Sequence, residues 1–245
     1  MNLHRSWLLA RKDLSILLRR KQLLALLFVL PLMISIGLPS LVGYLIVRKS
    51  ILPSEVETLL GAFNFFFIII SALIPLYISS YSIVGEKTER SLEPLLATPI
   101  TDRELLFGKN LGIFIPVILL IFMAELIFMG LADLLTFGRL GYAFYPNLNF
   151  AIVFLLASPL ACLYGVNFGI LTSSRATNSQ TAYQMGAITL IPFFILYVLG
   201  EINIVSLSTS NNILIISIGL LFIVLVVFFV SGATFNRENI LLKWK

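Results

Sequence analysis

The segment from Gly85 to Lys109, GEKTERSLEPLLATPITDRELLFGK, is the longest charged stretch of the chain and is dense in both signs. Glu86 and Arg90 stand at i,i+4 in the order that favours a helical ion pair, so the apolar run before them is expected to continue as helix. Pro94 fits the first turn of a new helix, and Pro99 stops it. Thr101 and Glu104 form a capping box, T-D-R-E, that opens the next helix. The spacing therefore predicts helix, bend, a very short helix carrying Leu92, Leu95 and Leu96, bend, helix. Exposed leucines rimmed by Glu86, Lys87, Arg90 and Glu93 suit a protein partner's surface better than a reaction centre. An ordinary charged loop is the alternative, but it needs neither three leucines nor two capped breaks.

Little else in the chain could do covalent or metal chemistry. His4 is the only histidine and Cys162 the only cysteine, so histidine dyads, zinc clusters, proton relays and internal disulfides have no residues to build them. Cys162 lies in an apolar run and reads as a small buried hydrophobe. Glu125 is the one clear carboxylate within an apolar run, with Asp133 near the end of the same run. Glu125 either lines a pathway or hydrogen-bonds a neighbouring helix, since a lipid-facing carboxylate costs roughly 3 kcal/mol at the bilayer centre. No Asp pair and no Ser-Lys pair falls at helical spacing in the apolar runs. No catalytic residue and no metal ligand is assigned. A phosphate loop is also absent: Gly108-Lys109 is followed by Asn110, and the required upstream Gly is missing.

The elements that position these residues follow from composition. Hydrophobic residues make up 59% of the 245 and charged ones 12%, about half the charge of a soluble domain. Six runs are long enough for a bilayer, about 23–47, 59–84, 110–132, 150–172, 181–199 and 213–230, given that roughly 20 apolar residues span it. Pro192 and Gly200 interrupt the fifth, which reads as a span or as a span followed by a shallow re-entrant piece. Arg5, Arg11, Lys12, Arg19, Arg20, Lys21, Lys87, Arg90, Arg103, Lys109, Arg175, Arg237, Lys243 and Lys245 fall on one side of these spans, and Arg48, Lys49 and Arg139 on the other. The positive-inside rule puts the first group, and both termini, in the cytoplasm. The net charge of +5 is thus a loop-retention signal, and no nucleic acid is expected as partner.

In residues 1–22, Leu3, Trp7, Ala10, Leu14, Leu17 and Leu18 share a face opposite Arg5, Lys12, Arg19 and Arg20, with Leu9 and Ile16 spoiling the polar side. This pattern suits a helix lying in the membrane interface. Ala161, Gly165 and Gly169 form a small-residue stripe for close packing, within one bundle by default and across a dimer as runner-up. Ser71, Ser79, Ser80, Asn167, Gln184 and Thr189 read as interhelical hydrogen bonders. The whole chain reads as one transmembrane domain.

The charged loop resembles the signature loop of the type-2 ATP-binding-cassette (ABC) permease family. The matching elements are Glu86-Lys87, Ser91-Leu92-Glu93-Pro94-Leu95-Leu96, Thr98-Pro99-Ile100 and Gly108-Lys109, together with Ala10-Arg11-Lys12-Asp13-Leu14 before the first span. Arg90 departs from the pattern, which has a small residue there. The resemblance implies a coupling helix around Ser91 to Thr98 that docks into an ABC-type ATPase subunit. It also implies a second permease subunit, identical or different, and ATP and Mg held by the ATPase rather than by this chain. The expectation is an all-α membrane protein: six transmembrane helices, an N-terminal interfacial amphipathic helix and a short cytoplasmic coupling helix between helices 2 and 3. Its function is expected to be that of the permease subunit of an ABC exporter, with spans rich in Phe, Ile and Leu suiting a hydrophobic or amphipathic cargo. A non-transporting scaffold and an intramembrane enzyme are the rival readings.

Overall fold

A computed structural model describes residues 3–49, 51–88, 101–202 and 204–234, and every regular element among them is helical. The helices are α1 (Leu3–Arg19), α2 (Lys21–Lys49), α3 (Pro53–Ser80), α4 (Ser82–Thr88), α5 (Asp102–Leu140), α6 (Leu148–Ile152), α7 (Ser158–Arg175), α8 (Ser179–Ile188), α9 (Ile191–Glu201) and α10 (Ser210–Thr234). One π-helical stretch, Val153–Ala157, joins α6 to α7. Pro159 has no N–H to give the preceding turn, and the chain takes up the slack there, with Ser158 N–H bonding the Val153 carbonyl. Six segments are long and apolar enough to cross a bilayer: Leu23–Lys49, Pro53–Glu86, Asp102–Leu140, Leu148–Arg175, Ser179–Gly200 and Ser210–Gly232. Each contains one of the six runs read from the sequence, and the all-α membrane fold is the fold found.

The third span is one unbroken helix of 39 residues, about 58 Å at 1.5 Å per residue, well beyond the roughly 30 Å of hydrocarbon. Its capping box forms as the sequence predicts: Thr101 Oγ1 accepts from Glu104 N–H at 3.3 Å, and Glu104 accepts from Thr101 N–H at 3.0 Å. At the other end Gly141 closes it in the left-handed conformation, φ 79°, which a glycine adopts without steric cost.

Burial singles out α3 as the centre of the bundle. In the second span 72% of the apolar window is buried, against 28% in the first and 28% in the sixth. α3 packs most closely on α7, where the Ala161–Gly165–Gly169 stripe does the work expected within one bundle. A Cβ on Gly165 would strike the Ala72 carbonyl oxygen, and one on Gly169 would strike the Ser79 hydroxyl. Cys162, also on α7, is buried in the hydrophobic core. Outward-facing Met33, Val198, Phe222 and Phe229 are exposed on α2, α9 and α10, as fits helices whose solvent is lipid.

The structure bears on four of the sequence expectations. First, the second span continues as helix into its charged extension as expected, with a turn at Tyr81 before α4. Ser79 and Ser80 hydroxyls donate back to the Pro75 and Leu76 carbonyls at 2.6 and 2.7 Å, a competition that bends helices. The opened N-terminus of α4 is satisfied by Ser173 Oγ, which accepts from Ile83 and Val84 N–H, both at 3.1 Å. Second, the fifth span is interrupted at Pro192 as expected: it breaks at Thr189–Leu190, because a proline ring clashes with the carbonyl four residues back, and Leu207 then folds over Gly200. Third, the face of α1 that meets the bundle is Ser6, Leu9, Ala10 and Leu17, all buried. Ala10 and Leu17 belong to the apolar face expected for α1, whose Trp7 and Leu18 are each 53% exposed, and Leu9, read as spoiling the polar side, is core. Fourth, Ser79, Ser80, Asn167 and Thr189 donate to carbonyls of their own helices, and the buried Ser71 hydroxyl has no hydrogen-bond partner among the described residues. Ser79 alone of them donates across, to Gly165 O at 3.3 Å.

Candidate functional site

The two stems of the charged loop, α4 and the first turns of α5, come together with α1 around one buried ammonium. Lys109 is 1% exposed. Its Nζ lies 2.9 Å from Glu86 Oε2 on α4 and 3.6 Å from Asp13 Oδ2 on α1. It donates as well to the Ser82 carbonyl and hydroxyl, at 3.3 and 3.2 Å. Lys12 closes the cluster by donating to Glu86 Oε1 at 3.1 Å, from a side chain that is 40% exposed. Two ammonium and two carboxylate groups thus tie three helices at the base of the loop. Burial pushes the Asp13 carboxyl above its ordinary range, against the pull of the Lys109 ammonium beside it. A carboxylate that needs a buried cation to stay ionised is structurally coupled to it.

The backbone makes this possible through glycines on α5. A Cβ at Gly108 would lie 2.8 Å from the Ser6 carbonyl oxygen, and one at Gly112 would lie 3.0 Å from the Ala10 carbonyl oxygen. With hydrogen in those places, α1 crosses α5 at close range and delivers Asp13 to Lys109. Gly108-Lys109 is therefore a physical unit: the glycine admits α1 and the lysine binds it. Arg20, in the break between α1 and α2, stacks over the Tyr81 ring at 4.1 Å and so braces the turn between α3 and α4.

Of the residues singled out in the loop, Glu86 is at the stem and Lys87 follows it on α4. Arg90, Ser91, Leu92, Glu93, Leu95, Leu96, Thr98 and Pro99 lie outside the described residues. Glu125 lies in the core, fully buried, and accepts a hydrogen bond from the Ser158 hydroxyl at the start of α7. Its geometry is that of an interhelical tie. Asp133, at the opposite end of α5 from the loop, accepts from the Phe144 and Tyr145 N–H groups at 2.9 and 3.0 Å. Sequence reasoning missed Lys12, Asp13 and Ser82 as members of the stem. The helical wheel placed Lys12 opposite the apolar face, and nothing local in the sequence reveals that its partner is Glu86, 74 positions away, or that Asp13 meets Lys109.

No group of three or more His, Cys, Asp or Glu side chains that could hold a metal ion occurs among the described residues; what the arrangement supplies is a charge-pinned junction of α1, α4 and α5 on either side of residues 89–100. The family model described as ABC-2 family transporter protein matches residues 7–212 of this chain. The chain belongs to the ABC-2 transporter family. No curated protein matches it significantly. The match begins inside α1 and ends inside α10, so the ABC-2 permease region includes all three helices of the stem and five complete spans. In this permease the family-like pairs Glu86-Lys87 and Gly108-Lys109, and the Lys12-Asp13 pair of α1, are neighbours in space although they lie far apart in the chain.

Proposed function

We propose that this chain is the permease subunit of an ABC exporter, driven by ATP hydrolysis in a separate ATPase subunit that docks on residues 89–100. The observation that carries the reading is the Lys109–Glu86–Asp13 cluster. It fastens both stems of the docking segment to α1, so that a push on the segment moves α3, α5 and α1 together. The rim of Glu86, Lys87, Arg90 and Glu93 orients the ATPase, while Leu92, Leu95 and Leu96 supply the apolar contact. Ser91, Thr98 and Pro99 delimit the coupling helix. ATP and Mg belong to the partner, and a second permease subunit completes the transporter. Both termini face the cytoplasm, α1 lies in the membrane interface, and the cargo is hydrophobic or amphipathic, in keeping with spans rich in Phe, Ile and Leu. Purified alone, the permease is expected to hydrolyse no ATP, and with an ABC-type ATPase co-expressed it is expected to co-purify with it. Nucleotide turnover by the homogeneous chain, measured by phosphate release, would contradict the assignment.

A further inference from the structure

A cavity of about 540 Å³ opens between the first turns of α5, the second half of α7 and the last turns of α10. Three of its lining residues are polar and deeply buried: Asn110 on α5 is 8% exposed, Asn167 on α7 3% and Ser231 on α10 5%. Asn110 donates its Nδ2 to the Leu106 carbonyl at 2.9 Å, and Asn167 donates its Nδ2 to the Leu163 carbonyl at 2.8 Å. Asn110 Oδ1 and Ser231 Oγ are buried with no hydrogen-bond partner, and Asn167 Oδ1 accepts no hydrogen bond among the described residues. A buried acceptor left unpartnered costs free energy that a donor recovers. Three helices thus each bring one such oxygen to the same cavity, which is the complement of a ligand that donates hydrogen bonds.

The order of the lining narrows the ligand. Arg103, in the first turn of α5, lines the cavity, and no hydrogen bond or ion pair holds its guanidinium among the described residues. It precedes Asn110 by two turns on one face of α5, about 10 Å along a helix. The third apolar run begins at Asn110 and the sixth apolar segment ends at Gly232, so the acceptors gather near the boundary of the spans and Arg103 lies beyond it. Phe228 and Phe229, exposed on the sixth span, line the apolar side. The sequence is cation, acceptors, hydrocarbon-like wall. No carboxylate lines the cavity, so nothing would offset a ligand ammonium buried beside Arg103, and the donor must be neutral. A ligand that matches carries an anion, then a hydroxyl, then a hydrocarbon chain. In a two-chain glycerophospholipid the hydroxyl next to the phosphate arm is esterified; in a single-chain one it is free.

We propose that this cavity binds a single-chain anionic glycerolipid. Its phosphate meets Arg103, its free glycerol hydroxyl donates to the oxygens of Asn110, Asn167 and Ser231, and its chain lies against Phe228 and Phe229. Basic pockets between transmembrane helices bind anionic headgroups; here the buried acceptors add a demand for the hydroxyl.

The test uses the full chain alone in a non-ionic detergent, with retention read by native mass spectrometry. Oleoyl lysophosphatidic acid is expected to be retained about fivefold better than mono-oleoylglycerol, which lacks the phosphate, the order expected for one basic residue near a membrane surface. It is also expected to be retained better than dioleoylphosphatidic acid, whose hydroxyl is acylated. Arg103→Gln is expected to abolish the first preference and keep the second, whereas Ser231→Ala and Asn167→Leu reduce the second and keep the first. Lys21→Gln, which removes a basic residue outside the cavity, is expected to change neither. Unaltered melting temperatures for Arg103→Gln and Ser231→Ala are part of the expected result and exclude a folding defect as the cause. Equal retention of the three lipids, or preferences that survive both Arg103→Gln and Ser231→Ala, would overturn the proposal. Displacement by glycerol phosphate at comparable concentration would assign the site to a soluble polyol phosphate and overturn the lipid assignment. Because no ATPase is present, either failure leaves the docking of residues 89–100 untouched.

Discussion

Taking an ammonium out of water costs several kcal/mol, and a buried pair offsets this only when geometry and further hydrogen bonds are good. Lys109 meets that condition with Glu86 at 2.9 Å, Asp13 at 3.6 Å and two donations to Ser82. Lys109→Met would leave two carboxylates buried side by side without the ammonium that lies between them. The expected cost is about 3–5 kcal/mol, read as a lower melting temperature of the purified permease. The two carboxylates are not equivalent. Glu86 touches both ammonium groups, whereas Asp13 is the longer contact and its charged form is already disfavoured by burial. Glu86→Gln is therefore expected to destabilise more than Asp13→Asn, and the reverse order in melting temperature would refute this picture of the stem. Sequence alone marked Glu86 and Lys109 through their loop motif but could not pair them, because an ion pair between residues 23 positions apart is decided by how two helices cross. Glu125 was legible as a buried carboxylate, and its Ser158 partner was not, since that pairing depends on the rotation of α7 after the π turn.

At the scale of helices, close approach depends on missing side chains. Gly108 and Gly112 admit α1 to α5, and Gly165 and Gly169 admit α3 to α7. Gly169→Ala would place a methyl group against Ser79 and within 2.7 Å of the Leu76 carbonyl oxygen, so a loss of about 1–3 kcal/mol is expected from overpacking. Gly130, with nothing within 4 Å of a built Cβ, is expected to accept Ala with no loss. Thermal melting of the two variants side by side checks this; equal behaviour would remove the packing argument. The Thr101–Glu104 capping box was legible because it acts within one turn. The rotation of α1 was not. Both of its sides carry apolar residues, and Leu9 is buried where α1 crosses the glycines of α5, a contact that nothing in α1 itself specifies. The Tyr81 turn likewise depended on Ser173 of a distant helix.

For the whole molecule, hydropathy alone gave the six spans, since lipid punishes every unpaired backbone group and only complete helices survive there. Orientation rests on the basic residues, and it carries a direct test. In a Cys162→Ala background, Ser54→Cys is expected to react with a membrane-impermeant maleimide from outside intact cells, while Thr98→Cys is expected to react only after lysis. The central claim joins this topology to the stem: residues 89–100 project into the cytoplasm and receive an ATPase. Each leucine buried there would contribute roughly 1.5–3 kcal/mol of contact. The most direct measurement is a pull-down of the co-expressed ATPase by the Leu95→Ser, Leu96→Ser double variant, taken with the melting temperature of the isolated permease. Lost or weakened ATPase association with unchanged melting is the predicted result. Unchanged association with a lowered melting temperature would show that the leucines pack within this chain, and would contradict the account.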